Sequence, residues 1–275
     1  VSDPFSLAGK RFLVTGANTG IGQGIAVSIV RAGGAVVGVG RSSMDDTADK
    51  VAALGGQFEA VSADLADISA AGPLHDRIWD ESGPLDGLVN NAGIIRRADA
   101  VDLSEADWDD VMDVNLKTVF LLCQSFARRA LAAERKGKIV NIASVLSFQG
   151  GIRVASYTAS KHGVLGITRL LACEWAAKGI NVNAIAPGYI ETNNTQALRA
   201  DPDRSAAILA RIPAGRWGGG RHWRRRRLPA GAGVELHAWG GGAGGWRLAG
   251  ALGFDAIPGG KPFHTFLGIA LRRQR

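Results

Sequence analysis

Cysteine is scarce in this sequence: 275 residues hold two, Cys123 and Cys173, far apart and without metal-ligand spacing. A disulfide framework is excluded, and free thiols in a reducing compartment are the expectation. The five histidines are scattered, with no H-x-x-x-H pair and no Cys/His cluster, so no metal is expected. Val1-Ser2-Asp3-Pro4-Phe5 lacks the basic-then-apolar layout of a secretory signal. No apolar run approaches the ~18 residues that a membrane span needs. These absences predict a soluble, cytoplasmic protein with no membrane partner.

Acidic residues are missing from one part of the chain only. The formal net charge is +7, yet residues 1–218 hold 22 Lys/Arg against 23 Asp/Glu, while residues 219–275 hold 10 against 2. The basic character belongs to the last segment, and the first 218 residues carry no electrostatic footprint for nucleic acid. The length suits one large α/β domain with a substantial core.

Short apolar runs alternate with amphipathic stretches. Arg11–Val14, Val36–Val39, Phe58–Val61, Leu85–Val89, Lys138–Ile142 and Ile180–Ile185 have the composition of buried strands. Helical spacing falls over Ile21–Arg31 and roughly over 45–54, 70–82, 105–134 and 155–178. This alternation predicts an α/β fold, a single Rossmann-type doubly wound parallel sheet. In such sheets ligands bind beyond the carboxyl ends of the strands. The glycine turn Thr15–Gly22, the turn Asn90-Asn91-Ala92-Gly93, Ser144 and Pro187-Gly188 all fall at those ends, which predicts one cleft.

Tyr157 and Lys161 are four residues apart on a predicted helix, hence on one face. A nearby ammonium favours phenolate, so Lys161 is expected to draw the Tyr157 pKa down from about 10. Tyr157 is then the candidate proton donor and acceptor at an alcohol or ketone oxygen, and Ser144 the group that holds that oxygen. Gly16, Gly20 and Gly22 permit a tight turn and let the backbone approach a pyrophosphate at a helix N-terminus. A nucleotide cofactor would supply or take the hydride. Asp64 has two readings, an acceptor for an adenine amino group or a helix N-cap. Asn115 sits mid-helix, where asparagine is mildly unfavourable; a kink or water site near Lys161 is one explanation and an exposed helical face the other. Gly40-Arg41-Ser42 ends the second strand without a carboxylate, which favours NADP over NAD, although an arginine there also suits stacking on adenine.

Taken together, residues 9–218 resemble the short-chain dehydrogenase/reductase family. The signatures that carry the resemblance are T-G-x-x-x-G-x-G, N-N-A-G, Asn115, Ser144, Y-x-x-x-K and Pro187-Gly188. It implies an NAD(P)-dependent enzyme with a catalytic tetrad of Asn115, Ser144, Tyr157 and Lys161. It also implies a cofactor lying against Gly16, Asn18, Thr19, Gly20, Ile21, Gly22, Arg41, Asp64, Leu65, Asn91, Ala92, Gly93, Tyr157, Lys161, Pro187, Gly188, Ile190 and Thr192. Lys161 would meet the nicotinamide ribose and Thr192 the carboxamide.

Ile95-Arg96-Arg97, Ser147–Arg153, Tyr189–Gln196 and Arg211–Gly218 are similar to a subgroup acting on gluconate and deoxy-gluconate sugar acids. Its usual cofactor is NAD, against the lean of Arg41. A sugar acid needs a carboxylate partner. Arg96 and Arg153 are the candidates, with a surface or interface ion pair as the plainer role for each. Gln149 and Asn194 are candidates for the hydroxyls, and Ser144 for the reacting oxygen. A homo-oligomer, dimer or tetramer, is implied for a chain with the family's usual ending.

After Gly218 the resemblance stops. The family continues with a helix, a strand and a terminal Val-Asp-Gly-Gly-Trp. This chain instead runs from Arg221-His222-Trp223 through four arginines into a Gly- and Trp-rich stretch without periodicity. A basic nucleic-acid-binding tail is one reading, and a disordered extension a second. The third is a shifted reading frame. Sliding Arg221-His222-Trp223 by one base permits Asp-Ile-Gly, and the same slide over Gly244–Leu252 permits Val-Asp-Gly-Gly-Trp-Leu-Ala-Arg and a stop. On that reading residues 219–275 form an out-of-frame, poorly ordered tail, and the last helix and strand are lost. Two other functions stay open: another carbonyl reductase, such as a 3-oxoacyl reductase, and a catalytically silent binding protein using its basic tail.

Overall fold

Side chains along the central strands alternate between two apolar clusters, and that alternation sets the layers. The computed structural model describes residues 5–212, 215–218 and 236–237. Its sheet consists of β1 (Arg11–Thr15), β2 (Ala35–Gly40), β3 (Phe58–Ser62), β4 (Gly87–Asn90), β5 (Gly137–Ile142), β6 (Ile180–Ala186) and β7 (Leu236–His237). All pairings are parallel, in the order β3-β2-β1-β4-β5-β6-β7. Leu13, Leu88 and Ile139 enter one cluster, whereas Phe12, Val14, Val89 and Val140 enter the other. Successive strand residues point to opposite faces, so both faces need cover.

Helices α3 (Ile68–Ser82) and α5 (Thr118–Ala132) cover the first face with Ile78, Trp79, Leu122 and Phe126. Helix α1 (Gly20–Arg31) covers the second with Ile25, Ala26 and Ile29, and α2 (Asp45–Ala52) adds Val51. Helix α6 (Ala155–Trp175) brings Val164 and Leu165 against Ala186 of β6. The expected strands and helices are present. The main departure is the long helix expected over 105–134. It is α4 (Glu105–Met112), a π-helical turn at Asp113–Lys117, and then α5. The remaining helices, α7 (Gln196–Ala200) and α8 (Pro202–Leu209), follow β6.

β1 pairs with β2 on one side and β4 on the other. The strand order reverses there, which opens a crevice at the carboxyl ends. The proposed out-of-frame tail lies outside the described residues apart from Leu236–His237. At that point β7 pairs with Ile185 and Ala186. It is only two residues long. An edge strand presents unpaired N–H and C=O groups that any extended backbone satisfies, whatever its side chains. Among the described residues no helix is long and apolar enough to cross a membrane.

Candidate active site

Gly16 leaves β1 with a φ of +66°, in the left-handed region that glycine adopts freely. Gly22 is required for space: a Cβ there would stand 2.0 Å from the Gly16 carbonyl oxygen. Asn91 donates through Nδ2 to the carbonyls of Thr15 at 3.0 Å and Gly16 at 3.2 Å. Thr15 Oγ1 accepts from the backbone N–H of Asn91 and of Ala92, each at 3.0 Å. These bonds lock the glycine turn to the Asn90–Gly93 turn. Thr15 was not among the sequence candidates; its place directly before the first glycine was the available signal.

Helix α1 starts at Gly20. Its N-cap, Thr19, makes no side-chain capping bond, and its first turn has no acidic residue. The leading N–H groups are therefore open to an anion. Bare backbone at Gly16 and Gly22 together with open donors at a helix start fits the pyrophosphate of a dinucleotide. Thr192 faces the same turn, its Cγ2 3.3 Å from the Cβ position of Gly20. It caps the short turn Asn193–Thr195 through a reciprocal pair with Thr195. At the other end, Asn18 Nδ2 donates to Ser42 Oγ at 2.6 Å, and Arg41 stands 3.6 Å from Asp64. Asp64 accepts from the Ala66 N–H at 3.0 Å, so it caps the turn after β3. Leu65 is buried, and its carbonyl accepts from Thr118. Ile21 packs at the edge of the second cluster. The Pro187 carbonyl accepts from Val145 N–H, and Ile190 bridges to Gly218.

The four residues of the expected tetrad share one region. Ser144 follows β5 and lies close enough to Tyr157 to oppose the rise in its pKa. Lys161 is buried, donates to the Ile142 carbonyl at 2.6 Å, and sits 5.6 Å from the centre of the Tyr157 ring. Asn115 is fully buried in the π turn. Its Oδ1 accepts from Ile94 N–H at 2.8 Å, and its Nδ2 donates to the Ile94 carbonyl at 2.9 Å and to Ser160 Oγ at 3.3 Å. The kinked alternative for Asn115 is thus the observed one, and π turns concentrate at functional sites. Gly93 closes the group: a Cβ there would lie 3.0 Å from Asn115 Oδ1 and 3.9 Å from Lys161 Nζ. Ser147, outside the sequence set of catalytic candidates, ties the pieces together. Its Oγ donates to the Lys161 carbonyl at 2.6 Å and accepts from Ser144 N–H.

Two expectations are corrected by this geometry. Tyr157 is not drawn down by Lys161: burial pushes its pKa up, and the opposing influences are the Ser144 hydrogen bond and the charge of Arg97. Burial lowers Lys161 itself to about 8. The second correction concerns the arginines. Arg96 is held by Asp107 at 3.1 Å and Asp110 at 2.9 Å, and Arg153 by Asp99 at 3.3 Å, so both take the plainer ion-pair role. Arg97, which was not a substrate candidate, is the one electrostatically coupled to Tyr157. Gln149 is exposed beyond the Val145–Ser147 turn. Asn194 is exposed too, and its backbone carbonyl accepts from Arg97 Nη2 at 2.8 Å.

A family model described as short chain dehydrogenase matches residues 10–203. The 2-dehydro-3-deoxy-D-gluconate 5-dehydrogenase of Dickeya dadantii is 57% identical over 79% of this chain and 86% of its own. Its namesake in Escherichia coli is 58% identical over 78% and 85%. A crystal structure of a putative 2-deoxy-D-gluconate 3-dehydrogenase from Agrobacterium tumefaciens, with NADP bound, is 62% identical. It superposes with a TM-score of 0.76 over 80% of this chain and 88% of that one.

Proposed function

This chain belongs to the short chain dehydrogenase family, and from that premise we propose that it interconverts a secondary alcohol and a ketone on a gluconate-type sugar acid. The observation that carries the proposal is Tyr157, beside Ser144 and backed by Lys161, together with a glycine turn shaped for a dinucleotide. A nicotinamide dinucleotide held at Gly16, Gly22 and the start of α1 would supply the hydride acceptor for oxidation and the hydride donor for reduction. Ser144 holds the substrate oxygen by a hydrogen bond. Tyr157 removes the hydroxyl proton on oxidation and returns it on reduction. Ser144 and the charge of Arg97 favour the phenolate that this requires, Lys161 backs the Tyr157 ring, and Asn115 fixes the Gly93 turn beneath the site.

The cofactor is NAD or NADP, and the end of β2 favours NADP. Arg41 and Ser42 stand where a carboxylate would repel a 2′-phosphate. Purified protein with NADP should oxidise 2-dehydro-3-deoxy-D-gluconate or D-gluconate, and with NADPH should leave a 3-oxoacyl thioester unreduced. Turnover of the thioester alone would overturn the substrate class.

Residues 219–275 we take to be translated from a shifted frame on this dehydrogenase. The jump in charge, the loss of periodicity and the family-like ending recovered by a one-base slide support it. Sequencing the coding DNA across codons 216–224 tests it directly. A clean reading, reproduced in the transcript, rules the shift out.

A further inference from the structure

Ser144 and Lys161 belong to different elements, and one hydroxyl joins them. Ser144 caps the Val145–Ser147 turn after β5, whereas Tyr157 and Lys161 stand on α6. Ser147, at the far end of that turn, is buried. Its Oγ accepts from the Ser144 backbone N–H at 3.2 Å and donates to the Lys161 backbone carbonyl at 2.6 Å. The turn is tied to the end of β6 as well, where Val145 N–H donates to the Pro187 carbonyl at 3.1 Å.

The residue type at position 147 decides what the turn can reach. Ser144 and Ser147 form a reciprocal capping pair, in which Ser144 Oγ accepts from Leu146 N–H at 3.1 Å. The distal member of such a pair is commonly Glu or Gln. A carboxylate would cap the turn but has no proton to donate, so it could not bond the Lys161 carbonyl. Serine does both. A carbonyl inside a helix already accepts from the N–H four residues on, so α6 does not need this bond for its own sake. What the bond adds is the placement of the Ser144 turn against the helix.

We infer that Ser147 is a positioning residue for the reaction, fastening the Ser144 turn to α6 so that the Ser144 and Tyr157 hydroxyls keep their spacing. The inference rests on the reading of Tyr157 as the acid/base and specifies how that site is held. The Ser147 proton is spent on the Lys161 carbonyl, so Ser147 acts through Ser144 and not on the substrate. Reacting groups misplaced by about 1 Å lose on the order of 10²-fold in rate. Without Ser147 Oγ, the Ser144 N–H loses its acceptor and the turn is free to shift along α6.

The test is steady-state oxidation of 2-dehydro-3-deoxy-D-gluconate and of D-gluconate by the full 275-residue chain with NADP, followed across pH. Ser147→Ala should lower kcat roughly ten- to hundredfold, with KM and NADP affinity within about twofold of the parent protein. Ser144 opposes the rise that burial imposes on the Tyr157 pKa. Its displacement should therefore move the rising limb of the kcat profile up by roughly 0.5–1 pH unit. Arg97 and Lys161, the cations facing Tyr157, are the same in both proteins. Ser147→Thr keeps the hydroxyl and should hold kcat within a few-fold of the parent. Parent-like kcat in Ser147→Ala overturns the inference. So does a loss of kcat with the limb unmoved, which is what general loosening of the fold would give, and so does a threonine variant as slow as the alanine one. If Tyr157→Phe loses turnover while Ser147→Ala keeps it, only this inference falls. If the parent chain oxidises neither acid, the reaction reading fails and this inference falls with it.

Discussion

The Lys161 ammonium lies 5.6 Å from the centre of the Tyr157 ring while donating to the Ile142 carbonyl at 2.6 Å. Burial pushes each group towards its neutral form, the lysine down to about 8 and the tyrosine up. The site therefore holds a charge that the fold alone disfavours, as functional sites often do.

That charge has a stability signature. An unfolded lysine keeps its proton to about 10.5, whereas the folded Lys161 sheds it near 8. Between those values the unfolded state binds more protons, so stability rises with pH through that window. In Lys161→Met this contribution is absent. Urea unfolding of both proteins should show wild type gaining on the variant from about pH 8 to 10.5, while the variant loses at least ~10²-fold in kcat. A gap that stays constant with pH contradicts the buried charge.

Gly22 and Gly24 lie in the same helix and should respond oppositely to alanine. A Cβ at Gly22 would collide with the Gly16 carbonyl at 2.0 Å, and nothing lies within 4 Å of one at Gly24. Gly22→Ala should abolish measurable NADP binding. Gly24→Ala should bind NADP normally and gain about 0.5–1 kcal/mol, the usual helix advantage of alanine over glycine. Equal NADP affinity in the two variants would remove the glycine turn from the cofactor site.

His75 predicts an acid sensitivity away from the site. It is fully buried between α3 and α5, beside Ser125, and burial lowers its pKa from 6.5 to about 4. Asp76 opposes that shift, and Arg129 reinforces it. As pH falls from 6.5 towards 4, the unfolded chain takes up the proton first, so stability is lost across that range. The loss attributable to His75 has an upper bound of about 3 kcal/mol. His75→Gln should unfold with a shallower pH dependence over the same interval. Identical slopes would mean that other groups carry the acid sensitivity.

Strands and motifs were legible in the sequence for physical reasons. Parallel strands buried on both faces, such as Val36–Val39, are continuous apolar runs, and each motif follows one directly. Tyr157 and Lys161 announce themselves through helical spacing. The π turn was legible only as one of two readings of Asn115, because the partner that Asn115 bonds there is Ile94, 21 residues earlier. The choice among arginines was hidden. Which of Arg96 and Arg97 meets the acids of α4 depends on the path of an irregular loop, which has no sequence period. The acidic run Asp107, Asp109 and Asp110 was the available signal that one of them would be claimed.

The central claim is that Tyr157 moves the proton of a hydride-transfer reaction. It is tested most directly by measuring kcat and NADP affinity in Tyr157→Phe, which removes one oxygen. The account predicts a loss of ~10²–10⁴-fold in kcat, with NADP affinity within twofold of the parent protein. Turnover close to that of the parent protein in this variant would contradict it.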